Sequence, residues 1–297
     1  MKIEKGKTKF TIFGAIVAYS DPLFRSTSSR HKMHLSEEIL DHIFSFLVSH
    51  RETLIACSKD PVLSSIVKRH LHYHLIVNIG NYNRETASNY ALKPDHLAKL
   101  ISEDPRILYS VRVLQIQLEL DRSCQFWMPG APAVIAKHLD GFASLLLMFP
   151  VLERIMLIGT SEDCPWYWPD AFRTALEDRL SLPTIKEVHI EGVKDFSFSL
   201  LDNCNNLKNL SLFGPFVRMD HHSVSTLPRL QSLSLSNTFF IDPPFMAWIK
   251  SHINELRSLK CSVELQSGQR PLSTLLEVCS QTLNKLDVSL GNLRCKG

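Results

Sequence analysis

A chain of 297 residues, 44% of them hydrophobic, has enough apolar material to bury a sizeable core, as one long domain or as two. Its seven cysteines (Cys57, Cys124, Cys164, Cys204, Cys261, Cys279 and Cys295) include no Cys-x-x-Cys pair, which argues against a disulfide framework or a zinc ribbon and for reduced thiols in a cytoplasmic or nuclear protein. The formal net charge of +3 is unevenly placed: residues 1–33 hold seven basic side chains against two acidic ones, a net +5, so the remainder carries −2 and is not a basic, nucleic-acid-seeking surface.

Residues 1–33 begin with lysines and continue into the apolar run FTIFGAIVAY, the layout of a secretory leader. That run is too short to cross a bilayer, and it leads to Ser20-Asp21-Pro22 without a small-x-small cleavage site. The expectation is a disordered extension or an overlong gene model, with Met33 as the native start and no membrane partner.

The stretch His34 to Leu47, HLSEEILDHIFSFL, reads as a short helix. Ser36 is placed to cap it by hydrogen bonding, Glu37 and Glu38 complement the helix dipole, and Leu35 and Leu40 fall at the positions of a hydrophobic staple. At 100° per residue, Leu35, Phe46, Ile39, Ile43, Leu47, Leu40 and Phe44 fill one continuous arc, and His42, Glu38, Ser45, Asp41 and Glu37 fill the other. An apolar arc covering half the helix is wider than one core requires, so two apolar neighbours are expected. Ser49 and Glu52 have capping-box spacing, predicting a second helix through Cys57, and Asp60-Pro61 predicts the start of a third. On the third, Val62, Leu63, Ile66, Val67, His70, Leu71 and His74 form one inner face.

The string Leu35, Glu38, Ile39, Leu40, Ile43, Phe44, Leu47 resembles the start of an F-box, with Ser36 where that family usually has proline. The run to His74 looks like the shortened variant of fungal multi-gene families and lacks the tryptophan often seen in the third helix. The resemblance covers about forty residues. It implies a three-helix module at 34–74 that docks on a Skp-type adaptor, and through it on a cullin, using Leu35, Ile39, Leu40, Ile43, Phe44 and Leu47.

From residue 75 the sequence repeats an apolar-x-x-apolar-x-apolar core. It occurs at Val111, Leu114, Ile116; Leu152, Ile155, Leu157; Ile185, Val188, Ile190; Leu207, Leu210, Leu212; Leu230, Leu233, Leu235; Leu256, Leu259, Cys261; and Leu283, Leu286, Val288. Each unit offers a strand that cannot be buried alone, followed by a return segment, and stacking such units builds a parallel sheet backed by helices. Ala131 to Met148 and Pro169 to Leu180 are two of the expected helices. The region resembles the degenerate leucine-rich repeats of many F-box proteins, without their usual asparagine. The fold class expected for the whole chain is therefore α/β, a helical module followed by a repeat solenoid at 75–297. A last strand with no cap implies either a truncated gene model or a partner on that edge.

Enzymatic patterns are sparse: there is no phosphate-cradling glycine loop, no Gly-x-Ser-x-Gly and no His-Glu-x-x-His. His70 and His74 face one metal only if both lie on a single helix, and no cysteine or carboxylate completes a site, so neither metal nor cofactor is expected. The cluster CPWYWP at 164–169 supplies Trp166, Tyr167 and Trp168 either as anchors for a target protein or as a cover for a repeat helix. The combined expectation is a non-catalytic substrate receptor of a cullin ubiquitin ligase. The alternatives are a repeat-type interaction scaffold outside any ligase and, more remotely, a hydrolase assembled from scattered residues.

Overall fold

The computed structural model describes residues 36–48, 50–61, 63–80, 91–119, 131–159, 168–193, 196–201, 203–214, 217–218, 229–236, 249–250, 252–263 and 269–290. The chain divides into two compact units, Met1–Leu71 and His72–Gly297.

The first unit contains α1 (Glu37–Ser45), α2 (Arg51–Cys57) and α3 (Ser64–Leu71). Its core is small: Phe44 from α1, Leu54 from α2, and Leu63, Ile66 and Val67 at and before α3, with Leu40, Leu47, Cys57 and Leu71 packed around them. Three expectations are corrected. Ser36 stands at the N-cap of α1 with extended backbone (φ −63°, ψ 157°) but makes no side-chain cap bond; its carbonyl accepts from Leu40 N–H (3.1 Å), which begins the helix. The carboxyl of Glu38 takes over at this end, held below the usual range first by its own backbone N–H and then by the Ser36 hydroxyl, as a negative charge at a helix N-terminus should be. The third helix starts at Ser64, three residues after Pro61, with Asp60 and Pro61 in the turn before it. His74 begins a strand and is not on that helix, so His70 and His74 do not share a helical face. Leu35, Ser49 and Val62 lie outside the described residues.

The second unit runs β1 (His74–Gly80), α4 (Pro94–Glu103), α5 (Ile107–Ser110), β2 (Val113–Glu119), α6 (Ala131–Leu146), β3 (Arg154–Gly159), α7 (Asp170–Leu180) and β4 (Glu187–Glu191). It continues with β5 (Phe196–Ser197), β6 (Asn209–Phe213), β7 (Val217–Arg218), β8 (Ser232–Leu235), β9 (Ser258–Val263), α8 (Gln269–Cys279) and β10 (Lys285–Leu290). Eight strands form one parallel sheet in which spatial order follows chain order, β1-β2-β3-β4-β6-β8-β9-β10; β5 and β7 pair separately. The protein is thus α/β with an open parallel sheet. Helices α6 and α7 match the two predicted at Ala131 to Met148 and Pro169 to Leu180, to within two residues at each end.

The register lines up the predicted triplets. Leu75, Leu114, Ile155, Val188, Leu210, Leu233, Leu259 and Leu286 form one row across all eight strands, and Val77, Ile116, Leu157, Ile190, Leu212, Leu235, Cys261 and Val288 form the next. On the first seven strands these residues are at most 1% exposed and share one core with Leu97 and Ile101 of α4, Phe142 and Leu146 of α6, and Phe172 and Leu176 of α7. β1 did not show in the triplet pattern because His72 occupies the position where later units carry an apolar residue such as Val111 or Leu152.

A second regularity is invisible in composition. The carbonyl of Tyr73 accepts from Arg112 and Val113, that of Arg112 from Glu153 and Arg154, and the same double acceptance recurs at Glu153, Lys186, Lys208, Gln231 and Arg257. Each unit thereby starts its strand on the carbonyl of the unit before it, which fixes the register where the apolar rows alone would allow slippage by two. At the other end of the strands, two residues after Leu157, Ile190 and Leu212, stand three stacked glycines, Gly159, Gly192 and Gly214. Gly192 N–H donates to the Phe213 carbonyl (2.8 Å), and Gly214 N–H donates to the Ser236 hydroxyl (3.1 Å), where the glycine series ends.

Cys261 stands in an apolar row, and burial first, then the nearby Asp287 carboxylate, push its thiol up to about 11 from 9.0. The raised value means that the folded chain holds this proton where the unfolded chain releases it, so stability is intact below pH 9 and falls as the pH rises toward 11. A loss on the order of 2 kcal/mol from this thiol is expected across that interval, measurable as a drop in urea midpoint that Cys261→Ala reduces; Cys57 and Cys279, whose thiols burial also raises, account for part of the remainder.

Candidate docking surface

Helix α1 packs against α3 along its buried stripe and is tied to it by polar contacts on one flank. Phe44 points into the core and approaches the His70 ring at 6.3 Å, while Leu40 and Leu47 pack at its margins. Beside them, Arg69 reaches Glu37 (2.8 Å) and Asp41 (3.5 Å), and His70 Nε2 meets Asp41 at 2.9 Å. Glu37 and Asp41 read as solvent-side residues in the sequence, yet they are the polar edge of the contact with α3. The ion pairs are largely exposed, so they orient α1 more than they stabilise it.

Fixing that face leaves another free. Ile39 (49% exposed), half-buried Ile43 and Phe46 (69% exposed) lie at i, i+4 and i+7, one continuous apolar stripe on the side away from Phe44. His42 packs edge-on against Phe46 with ring centroids 4.9 Å apart, which holds the phenyl ring along the stripe, and Ile55 of α2 adds a further exposed apolar side chain (36%). Among the described residues of this unit, it is the apolar surface that the core does not use.

The structure therefore divides the predicted adaptor-binding set. Ile39 and Ile43 lie on the free stripe, Leu40 and Leu47 are half-buried at its margin, Phe44 is fully buried and is corrected to a core residue, and Leu35 is outside the described residues. Phe46 belongs to the free stripe but not to the predicted set; its place in the apolar arc, seven residues after Ile39, is the signal that would have found it.

The aromatic cluster comes out differently. Trp168 is half-buried, stacked on Phe172 of α7 at 5.4 Å and edge-on to Phe196 at 6.2 Å, the packing expected of the covering role, one of the two read for it from the sequence. Trp166 and Tyr167 lie outside the described residues. The sheet face opposite the helices carries instead a mixed polar surface on β3, β4 and β6: Arg154 paired with Glu187, and His189 placed between Glu191 (3.1 Å) and the Phe213 ring (5.5 Å).

Among the described residues no group of three His, Cys, Asp or Glu side chains is placed to hold a metal ion, and no helix is long and apolar enough to cross a membrane. The sequence matches no protein-family model and no curated protein sequence.

Proposed function

We propose that this chain is an F-box-like substrate receptor of a cullin ubiquitin ligase, docking on a Skp-type adaptor through α1 and holding a target protein on a leucine-rich-repeat-like solenoid. The observation that carries the reading is the free stripe Ile39, Ile43, Phe46. The three described helices of the first unit build so small a core that a second apolar face on α1 is more than that core consumes, and such a face suits an apolar partner of fixed shape. Sequence resemblance over residues 34–74 supplies the identity of that partner. The chain-ordered parallel sheet, each strand started on the preceding carbonyl, supports the solenoid reading of the second unit. The receptor itself is read as non-catalytic, with the ligase chemistry supplied by its partners.

The test is co-expression with a Skp-type adaptor followed by size exclusion. A one-to-one complex is expected, and Ile39→Asp and Phe46→Asp should each weaken it by about 2 kcal/mol, roughly thirtyfold, while leaving the helical content unchanged. A chain that stays soluble alone and ignores the adaptor would point to an interaction scaffold outside any ligase, a reading that the serine at position 36, in place of the family's proline, favours.

A further inference from the structure

The two edges of the large sheet are finished differently. At β1 the outer edge is occupied: Asn78 N–H donates to the Leu92 carbonyl and Leu92 N–H donates to the Ile76 carbonyl, both at 2.8 Å, forming a parallel bridge between Val77 and Leu92. At β10 no described residue lies beyond the strand. Its row positions Leu286 and Val288 are 48% and 38% exposed, whereas their counterparts on the seven strands before it are at most 1% exposed. Successive residues of a parallel strand turn their backbone groups to alternate neighbours. Since Lys285 N–H is bonded to Arg257 on the β9 side, the N–H and C=O groups of Leu286 and Val288 face the open edge.

We propose that β10 is a self-association edge, pairing antiparallel with β10 of a second copy about a two-fold axis through Leu286 and perpendicular to the sheet. The charge pattern selects both the occupant and the register. With the axis at Leu286, Lys285 of each copy stands opposite Asp287 of the other on the polar face, in the close non-hydrogen-bonded position, and the two Leu286 side chains meet on the apolar face. Moving the axis to Asp287 sets two carboxylates against each other, and moving it to Val288 sets Asp287 against Ser289, so only the first register pairs both charges of both copies. The two-fold operation puts the apolar faces of both sheets on the same side, so each copy helps cover the other's Leu286 and Val288. Head-to-tail stacking of β10 on β1 is blocked by the Leu92 bridge, which leaves the closed dimer in place of a growing filament.

The test is sedimentation equilibrium of the full 297-residue chain with three variants at exposed positions. The wild type is expected to dimerise. Asp287→Lys and Lys285→Asp each create like-charge pairs and should weaken the dimer about tenfold, and the double exchange, which restores opposite charges in reversed order, should return it to within about threefold of wild type. A chain that is monomeric at all concentrations, a dimer indifferent to the single reversals, or an open-ended series of larger species would each overturn the proposal. The result is independent of adaptor docking, which uses the other unit.

Discussion

Gly192→Ala is expected to lower the stability of the α/β unit by about 3 kcal/mol or more, the sum of backbone strain and forced overpacking. Gly192 has φ +62°, a conformation that a Cβ disfavours, and an ideal Cβ built there falls 2.4 Å from the Gly159 carbonyl oxygen. The obstruction is backbone that also belongs to a neighbouring unit, so relief requires two strand ends to separate. Gly159→Ala should have a comparable cost for a different reason: its Cβ would lie 2.3 Å from the Gly192 carbonyl oxygen, a purely steric conflict. Gly141 provides the contrast. It sits on the exposed side of α6 with nothing within 4 Å of its Cβ position, so the same substitution should raise stability by about 0.8–1 kcal/mol through helix propensity alone. Urea midpoints of the three variants check the ordering; a Gly192→Ala protein as stable as wild type would show that the stacked turns are not close-packed.

The second large effect is expected inside the helical unit. Phe44→Ala removes the largest side chain of a core built from five fully buried residues, at a cost of about 3–5 kcal/mol, which a three-helix unit of this size does not hold in reserve. The helices at 37–71 should lose their amide hydrogen-exchange protection, with the protection of the large sheet serving as internal reference. Ile39→Asp, on the free stripe of the same helix, should leave that protection intact while weakening the proposed adaptor complex roughly thirtyfold. A single helix thus yields two opposite phenotypes, and the pair distinguishes unfolding from lost docking in a way that either substitution alone does not. Equal protection in Phe44→Ala and wild type would mean that the helices are held by something other than their own core.

Much of this organisation is written in local sequence. The apolar triplets at 111–116, 152–157, 185–190, 207–212, 230–235 and 256–261 determine which strand residues are buried, because a period of two on a strand leaves only one face to hide. The arc on α1 likewise determines that this helix has more apolar surface than one core consumes. Tertiary structure decided how that surface is divided. Sequence periodicity cannot tell Phe44 from Ile43 or Phe46, since all three fall on one arc; the contacts of Arg69 and His70 with Glu37 and Asp41 accompany the rotation of α1 that buries the first and leaves the others outside the core.

The same holds for the turns and the edges. Gly159, Gly192 and Gly214 each follow the last residue of an apolar triplet by two, so the spacing puts them at equivalent positions, but their close backbone contact exists only once the carbonyl of each strand start has fixed the register. The sequence left Trp168 two roles, a cover, which it favoured, and an anchor; the rings that it packs against, Phe172 and Phe196, come from different elements. Short-range pattern determines which residues must be buried. Which of several equally apolar neighbours actually is buried depends on contacts between residues far apart in the chain, and those are a property of the assembled fold.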